Sequence, residues 1–108
     1  MELKDKTILV VDDEESFLSL MRRFLEKKGC EVRMEQLADL ALDFLKDNHV
    51  DLIMADLRMP GGMDGMEFVR AVKEMKYPAE VVVMTGHGTV ETAVEAIKMG
   101  AFDFVGKP

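Results

Sequence analysis

Cysteine is almost absent. Cys30 stands alone, so no intramolecular disulfide can form, and a reducing, cytoplasmic setting is expected. Its position between a predicted helix and a predicted strand reads as packing by a small apolar side chain. Long hydrophobic runs are missing too. No segment approaches the roughly 20 apolar residues that a membrane span needs. The opening Met1-Glu2-Leu3-Lys4-Asp5-Lys6 lacks the apolar stretch of a signal peptide. Nor is there an excess of positive charge. With Lys+Arg 14 and Asp+Glu 21, the formal net charge is −7, which argues against direct nucleic-acid contact by this domain. No linker, repeat or low-complexity tract interrupts the chain, and no Cys or His pair has zinc spacing. What remains is 108 residues, 48% of them hydrophobic and 32% charged, which is enough for one domain with its own core. The ten methionines are scattered along helical faces and strand ends as core filler.

Short apolar runs alternate with helical patterns. Thr7-Ile8-Leu9-Val10-Val11 is β-branched and apolar, as a strand buried on both faces should be. Phe17, Leu20, Met21, Phe24 and Leu25 then recur at helical spacing, and Gly29 closes that helix. Glu31 to Glu35 alternates like a more exposed strand. Leu37, Ala38, Ala41, Leu42 and Leu45 form a second amphipathic stripe, and Leu52-Ile53-Met54-Ala55 is another buried strand. Met59-Pro60-Gly61-Gly62-Met63 must be a loop. Asp64, with Glu67 three residues later, resembles a capping box for a helix running to about Met75. Val81-Val82-Val83-Met84 is a fourth strand. Thr89 caps a helix carrying Val90, Ala93, Val94 and Ile97 and closed by Gly100, and Phe102 to Val105 is a fifth strand. The order βαβαβαβαβ predicts a parallel sheet with helices on both faces. Its ligand crevice should lie beyond the carboxyl ends of the strands.

Four of those strands end in chemically active residues: Asp12 and Asp13, Asp56, Thr85 and Lys107. One acid after a strand means little, but four such ends at one sheet edge converge. Carboxylates so crowded raise each other's pKa values. A hard cation relieves this, and all-oxygen ligation suits Mg²⁺, with Mn²⁺ as a substitute. Arg58 lies two residues past Asp56, where its backbone carbonyl could complete the shell of such a cation. An aspartate beside such a cation can act as a phosphorus nucleophile and form an acyl phosphate. Lys107 offers a point charge and Thr85 a hydroxyl to the phosphoryl oxygens, which is what phosphoryl transfer asks of a protein.

The segments Val10-Val11-Asp12-Asp13-Glu14, Asp56-Leu57-Arg58-Met59-Pro60, Met84-Thr85-Gly86-His87-Gly88 and Gly106-Lys107-Pro108 together resemble a response-regulator receiver domain. The resemblance covers essentially the whole chain, residues 1–108, and Met84 to Pro108 is similar to receivers of NtrC-type sigma-54-dependent activators. It implies a flavodoxin-like (CheY-like) doubly wound sheet of five parallel strands in the order 2-1-3-4-5. It makes Asp56 the phosphoacceptor, served by the phosphohistidine of a cognate sensor histidine kinase or by a small acyl phosphate. It makes Asp12 and Asp13, Asp13 more directly, the Mg²⁺ ligands together with Asp56 and the Arg58 backbone carbonyl. It makes Thr85 and Lys107 the phosphoryl-binding pair, and Phe104 the switch aromatic. It makes Arg58 and His87 residues that tune phosphoryl lifetime. The implied protein is a signalling switch in a cytoplasmic phosphorelay, not a turnover enzyme. It would control a downstream output domain or protein, with transcription as the output and a homodimer through the fourth helix and fifth strand.

Other readings weigh less. A phosphatase of the haloacid-dehalogenase type needs a second acid two residues after its nucleophile, where this chain has Arg58. A nucleotide or flavin module wants a Gly-rich loop after the first strand, where Asp12-Asp13-Glu14-Glu15 would repel phosphate. A receiver-like adaptor that is never phosphorylated would not need the intact acid, hydroxyl and lysine set. Asp12 and Asp13 also suit helix capping, His87 an exposed loop, and Phe102 with Phe104 an aromatic pair on one strand face packed in the core. Two departures from the family pattern stand out. Gly61-Gly62 puts an extra residue between Pro60 and Met63, and the chain stops where the family continues into a fifth helix. A boundary cut short of that helix, or a partner covering the gap, is expected, with one sheet face exposing apolar surface under the first helix alone.

Overall fold

The computed structural model describes residues 2–59, 62–86 and 90–107. Strands β1 (Thr7–Val11), β2 (Glu31–Glu35), β3 (Leu52–Asp56), β4 (Glu80–Thr85) and β5 (Asp103–Gly106) alternate with helices α1 (Glu15–Lys27), α2 (Ala38–Asp47), α3 (Gly65–Glu74) and α4 (Val90–Lys98). All strand pairs are parallel and the order is β2-β1-β3-β4-β5, as the alternation and the resemblance required.

Register explains why the strand ends meet. Val11 pairs with both Glu35 and Ala55, Asp56 with Met84, and Thr85 with Gly106. Asp12 therefore stands level with Asp56, Thr85 one step beyond, and Lys107 at the next step on β5. Side chains alternate along a strand. Asp12 and Asp56 keep the parity of Val10 and Met54, and Lys107 that of Val105, which places these three on the α1 side of the sheet. Thr85 keeps the parity of Val83 on the opposite side, and so does Phe104, the partner of Val83.

The two faces are unequally covered. On one, Leu9, Val11, Ile53, Ala55, Val81 and Val83 are sealed by α2, α3 and α4 through residues such as Ala41, Leu45, Phe68, Val72 and Ala96. On the other, α1 alone supplies Leu18 and Leu25 over Ile8, Val10 and Met84, while Leu52 and Met54 are only partly buried. Val105, also on that side, is 41% exposed. The expected thinness of this face is thus visible in the structure.

Several local expectations need correction. The fifth strand runs one residue later than its apolar pattern suggests. Phe102 donates its backbone N–H to the Val81 carbonyl at 2.7 Å but precedes the ladder. The aromatic pair is not core: Phe102 is 66% and Phe104 42% exposed, because β5 is a short edge strand. In α1, only Leu25 of the predicted stripe is fully buried, joined by Leu18, while Leu20 and Phe24 stay exposed on the flank α1 does not press to the sheet. Leu37 is the residue before α2 and is also exposed. Thr89 as a cap, His87, Pro60, Gly61 and Pro108 lie outside the described residues.

Other local rules held. Gly29 takes φ +88° after α1, a left-handed conformation that favours glycine. Asp64 accepts from the Glu67 N–H at 2.8 Å while the Glu67 carboxylate accepts from the Asp64 N–H at 3.2 Å, a complete capping box. The next residue fixes the site's floor. A Cβ on Gly65 would lie 2.1 Å from the Asp56 carbonyl oxygen and 2.5 Å from the Leu57 Cα. Only glycine lets α3 start this close to the phosphoacceptor segment. Gly65→Ala is expected to lower stability by about 1–3 kcal/mol, the usual cost of overpacking. The test is urea unfolding, in which an unchanged midpoint would contradict this close approach.

Candidate functional site

The site lies where β1, β3 and β5 end. Asp12 is fully buried, its N–H bonded to the Glu35 carbonyl and its Oδ1 accepting from the Glu14 N–H at 2.9 Å. It does not cap α1: the N-cap residue is Glu14, which makes no side-chain cap. Asp56 is 4% exposed, and its Oδ1 accepts from the Arg58 N–H at 3.1 Å. That bond curls the chain just after β3 and leaves Oδ2 turned toward Lys107 Nζ at 3.4 Å. Lys107 reaches in from the last described residue, where its own N–H bonds to the Thr85 carbonyl at 2.9 Å. Its ammonium also lies 2.9 Å from Asp12 Oδ2 and 2.5 Å from Glu14 Oε1. The approach to Asp12 Oδ2 lacks hydrogen-bond alignment, so this buried oxygen has a charged neighbour but no donor.

Carboxylate oxygens of Asp12, Asp13, Glu14 and Asp56 lie within 4.8 Å of one another. Four acids against one ammonium leave an excess of negative charge in a confined space. The consequences appear in the protonation energetics. Burial first, with help from the Asp56 charge, lifts the Asp12 carboxyl above its usual range, although the Glu14 N–H and Lys107 oppose it. Burial alone would lower the Lys107 pKa, but Glu14, Asp12 and Asp56 outweigh it and hold the amine well above its ordinary value. The lysine is therefore a fixed cation. An all-oxygen donor set with an unbonded carboxylate oxygen suits a hard divalent ion.

Of the residues expected at the site, the fold brings Asp12, Asp13, Asp56 and Lys107 together and sets Thr85, 7% exposed, on the same rim. Arg58 contributes its N–H to Asp56, and its side chain is exposed in the crevice that also includes Met59, Asp64 and Gly86. Phe104 lies apart on the edge strand. His87 is outside the described residues. Sequence reasoning missed two neighbours: Glu14, which pairs with Lys107, and Phe17, whose ring centroid is 4.5 Å from the Lys107 Nζ. Glu14 was visible as a third consecutive acid. Phe17 carried no signal beyond an amphipathic stripe.

Fold and rim together define a doubly wound parallel α/β domain with an acid-and-lysine pocket at its strand ends. The chain belongs to the response regulator receiver domain family, whose model matches residues 8–108. Transcriptional regulatory protein FixJ of Rhizobium meliloti is 41% identical over 106 residues, which is 98% of this chain and 52% of that protein. The chain thus spans about half the length of this relative. Among solved structures, the beryllofluoride-activated NtrC4 receiver domain dimer superimposes with TM-score 0.87 at 41% identity, over 94% of this chain and 84% of that one. A response regulator from Burkholderia pseudomallei, with a phosphorylated aspartic acid, calcium ion and citrate, gives 0.88 at 34% identity, over 96% and 61%. The expected likeness to NtrC-type receivers is therefore met. Receivers of such regulators are signalling switches, not classical enzymes. No described helix is long and apolar enough to cross a membrane.

The raised Asp12 pKa carries a stability consequence. A folded-state acid with a raised pKa binds its proton more tightly than the unfolded chain does. Ionised Asp12 thus costs stability above its folded pKa, and the cost fades as pH falls through it. Without added divalent cation, Asp12→Asn is expected to unfold at higher urea than wild type at neutral pH, the gap closing on acidification. A less stable variant at neutral pH would refute this.

Proposed function

We propose that this chain accepts a phosphoryl group on Asp56 in a Mg²⁺-dependent reaction and, so modified, signals to an output domain. The observation that carries the reading is the buried Asp56 carboxylate, 3.4 Å from the Lys107 ammonium, in a pocket of four clustered acids. Asp12, Asp13 and Asp56, with the Arg58 backbone carbonyl, would hold the cation. The bound cation supplies neutralisation of charge on the phosphoryl oxygens, with Mn²⁺ as a workable substitute.

Asp56 is the nucleophile. One carboxylate oxygen forms the new O–P bond while the P–N bond of a kinase phosphohistidine, or the P–O bond of a small acyl phosphate, breaks. The electron pair leaves with the donor group, which takes up a proton if it needs one. The Arg58 N–H steadies one carboxylate oxygen and so orients the other. Lys107 offsets charge on the transferred group, and the Thr85 hydroxyl donates to one of its oxygens. No turnover of a diffusible product is required of the domain. The calcium and phosphorylated aspartic acid of the Burkholderia relative, and the beryllofluoride on NtrC4, lend support as properties of those proteins.

The finer roles follow by the same reasoning. Thr85 and Phe104 have the same strand parity, so a hydroxyl drawn toward the phosphoryl group would vacate space on the side where Phe104 stands half exposed beside α4. That makes the α4–β5 surface the output face and the place for a homodimer, with a sensor histidine kinase as the donor partner and the cytoplasm as the compartment. Arg58, two residues after Asp56, and His87, two residues after Thr85, are assigned to phosphoryl lifetime. The net charge of −7 keeps nucleic acid as a contact of the output part, not of this domain.

Treatment with acetyl phosphate and Mg²⁺ is expected to add the mass of one phosphoryl group to the wild type and none to Asp56→Asn. Chelation should prevent the addition, and Lys107→Ala and Thr85→Ala should each slow it by at least about tenfold, the scale of losing a charge-stabilising group. Equal modification of Asp56→Asn, or of chelated wild type, would overturn the assignment.

A further inference from the structure

We propose that Glu14 is a positioning residue that holds Lys107 in a resting cradle and must release it before the ammonium can serve a phosphoryl group. This rests on the phosphoacceptor reading above and adds a control step to it. The Lys107 Nζ faces Glu14 at 2.5 Å, Asp12 at 2.9 Å and Asp56 at 3.4 Å, with the Phe17 ring centroid at 4.5 Å. An ammonium has three N–H donors. Two of them go to Glu14 and Asp56, and Asp12 Oδ2 crowds the ammonium without an aligned hydrogen bond, so an incoming anionic oxygen must compete with three carboxylates already gathered around it.

The partners differ in how readily they let go. Asp12 and Asp56 have side chains 0% and 6% exposed and are anchored at strand ends by bonds from the Glu14 and Arg58 N–H groups. Neither can withdraw without stranding a buried charge. Glu14 is 58% exposed at the start of α1, so its carboxylate can swing into water. It is the exchangeable ligand of the lysine. Phe17, one turn along α1, stays beneath the ammonium and keeps it over the crevice when Glu14 leaves. Glu14 thereby competes with the phosphoryl group for Lys107 and sets how easily the site is charged.

Two substitutions separate this tether from simple charge effects. Glu14→Gln removes the negative charge, while Glu14→Asp retains it one methylene short of the lysine. Glu14 is largely exposed, so folding is not at stake in either variant. The first readout is the Lys107 ε-methylene NMR resonance without added cation. The tether requires it to move in both variants; an unmoved resonance overturns the proposal whether or not the wild type is a phosphoacceptor. The second is beryllofluoride affinity at saturating Mg²⁺. Both variants should bind roughly two- to fivefold more tightly than wild type, the range set by half-exposed ion pairs. Wild-type affinity in Glu14→Asp with tighter binding in Glu14→Gln would reduce the effect to charge alone and overturn the tether. Weaker binding by both would make Glu14 a cation ligand and overturn it as well. Failure of the wild type to take up beryllofluoride would instead count against the phosphoacceptor assignment, leaving the resonance to judge the tether.

Discussion

Crowding of like charges at one rim of the sheet is the constraint on which the rest of this structure depends. Asp12 and Asp56 are buried within reach of each other, with Asp13 and Glu14 completing the cluster. Buried carboxylates are retained only where something compensates them. Here Lys107 does so, and it comes from the far end of the chain, 93 residues from Glu14 and 51 from Asp56. The lysine thus ties the edge strand β5 to the centre of the sheet. A pocket over-supplied with negative charge, with one lysine among its described residues, could hold a cation. The fold bears that unfavourable arrangement because β1, β3 and β4 beneath it are mostly apolar and largely buried.

Much of this was legible in the sequence, for reasons that can be named. Ile8 to Val11 and Val81 to Met84 are apolar without alternation, as strands covered on both faces can be, and they are interior strands on either side of β3. The capping box at Asp64 and Glu67 marked the start of α3 to the residue. The site was legible because polar residues that end parallel strands have nowhere to converge except the common edge. What escaped was set by tertiary context. Phe102 and Phe104 look like core residues in a one-dimensional pattern, but strand order makes β5 an edge, and an edge strand of four residues buries little. The Leu20 and Phe24 pair in α1 has a similar history: periodicity marks an apolar stripe, but not how much of it the sheet can cover. The pairing of Glu14 with Lys107 was hidden for a different reason. A solvent-exposed glutamate in a run of acids gives no hint that a lysine will fold onto it.

The uneven covering of the two faces bears on how a change at the rim would travel. On the side packed by α2, α3 and α4, residues such as Phe68, Val69 and Val83 have no exposure, and a close-packed interior has little room for alternative arrangements. On β5 the opposite holds, since each of its four residues is exposed. Under the proposed chemistry, the charge added at Asp56 is felt first by its direct neighbours, Lys107 and the β4 end at Thr85. Lys107 is on the α1 side of β5, and Phe104 projects from the same short strand on the other. The strand is joined to the sheet through β4 alone, so it is the element with the fewest constraints and the most direct link to the rim. A rearrangement there costs less than one anywhere in the sealed face. Under that proposed chemistry the output surface is expected at this edge strand, which carries the lysine that balances the acids.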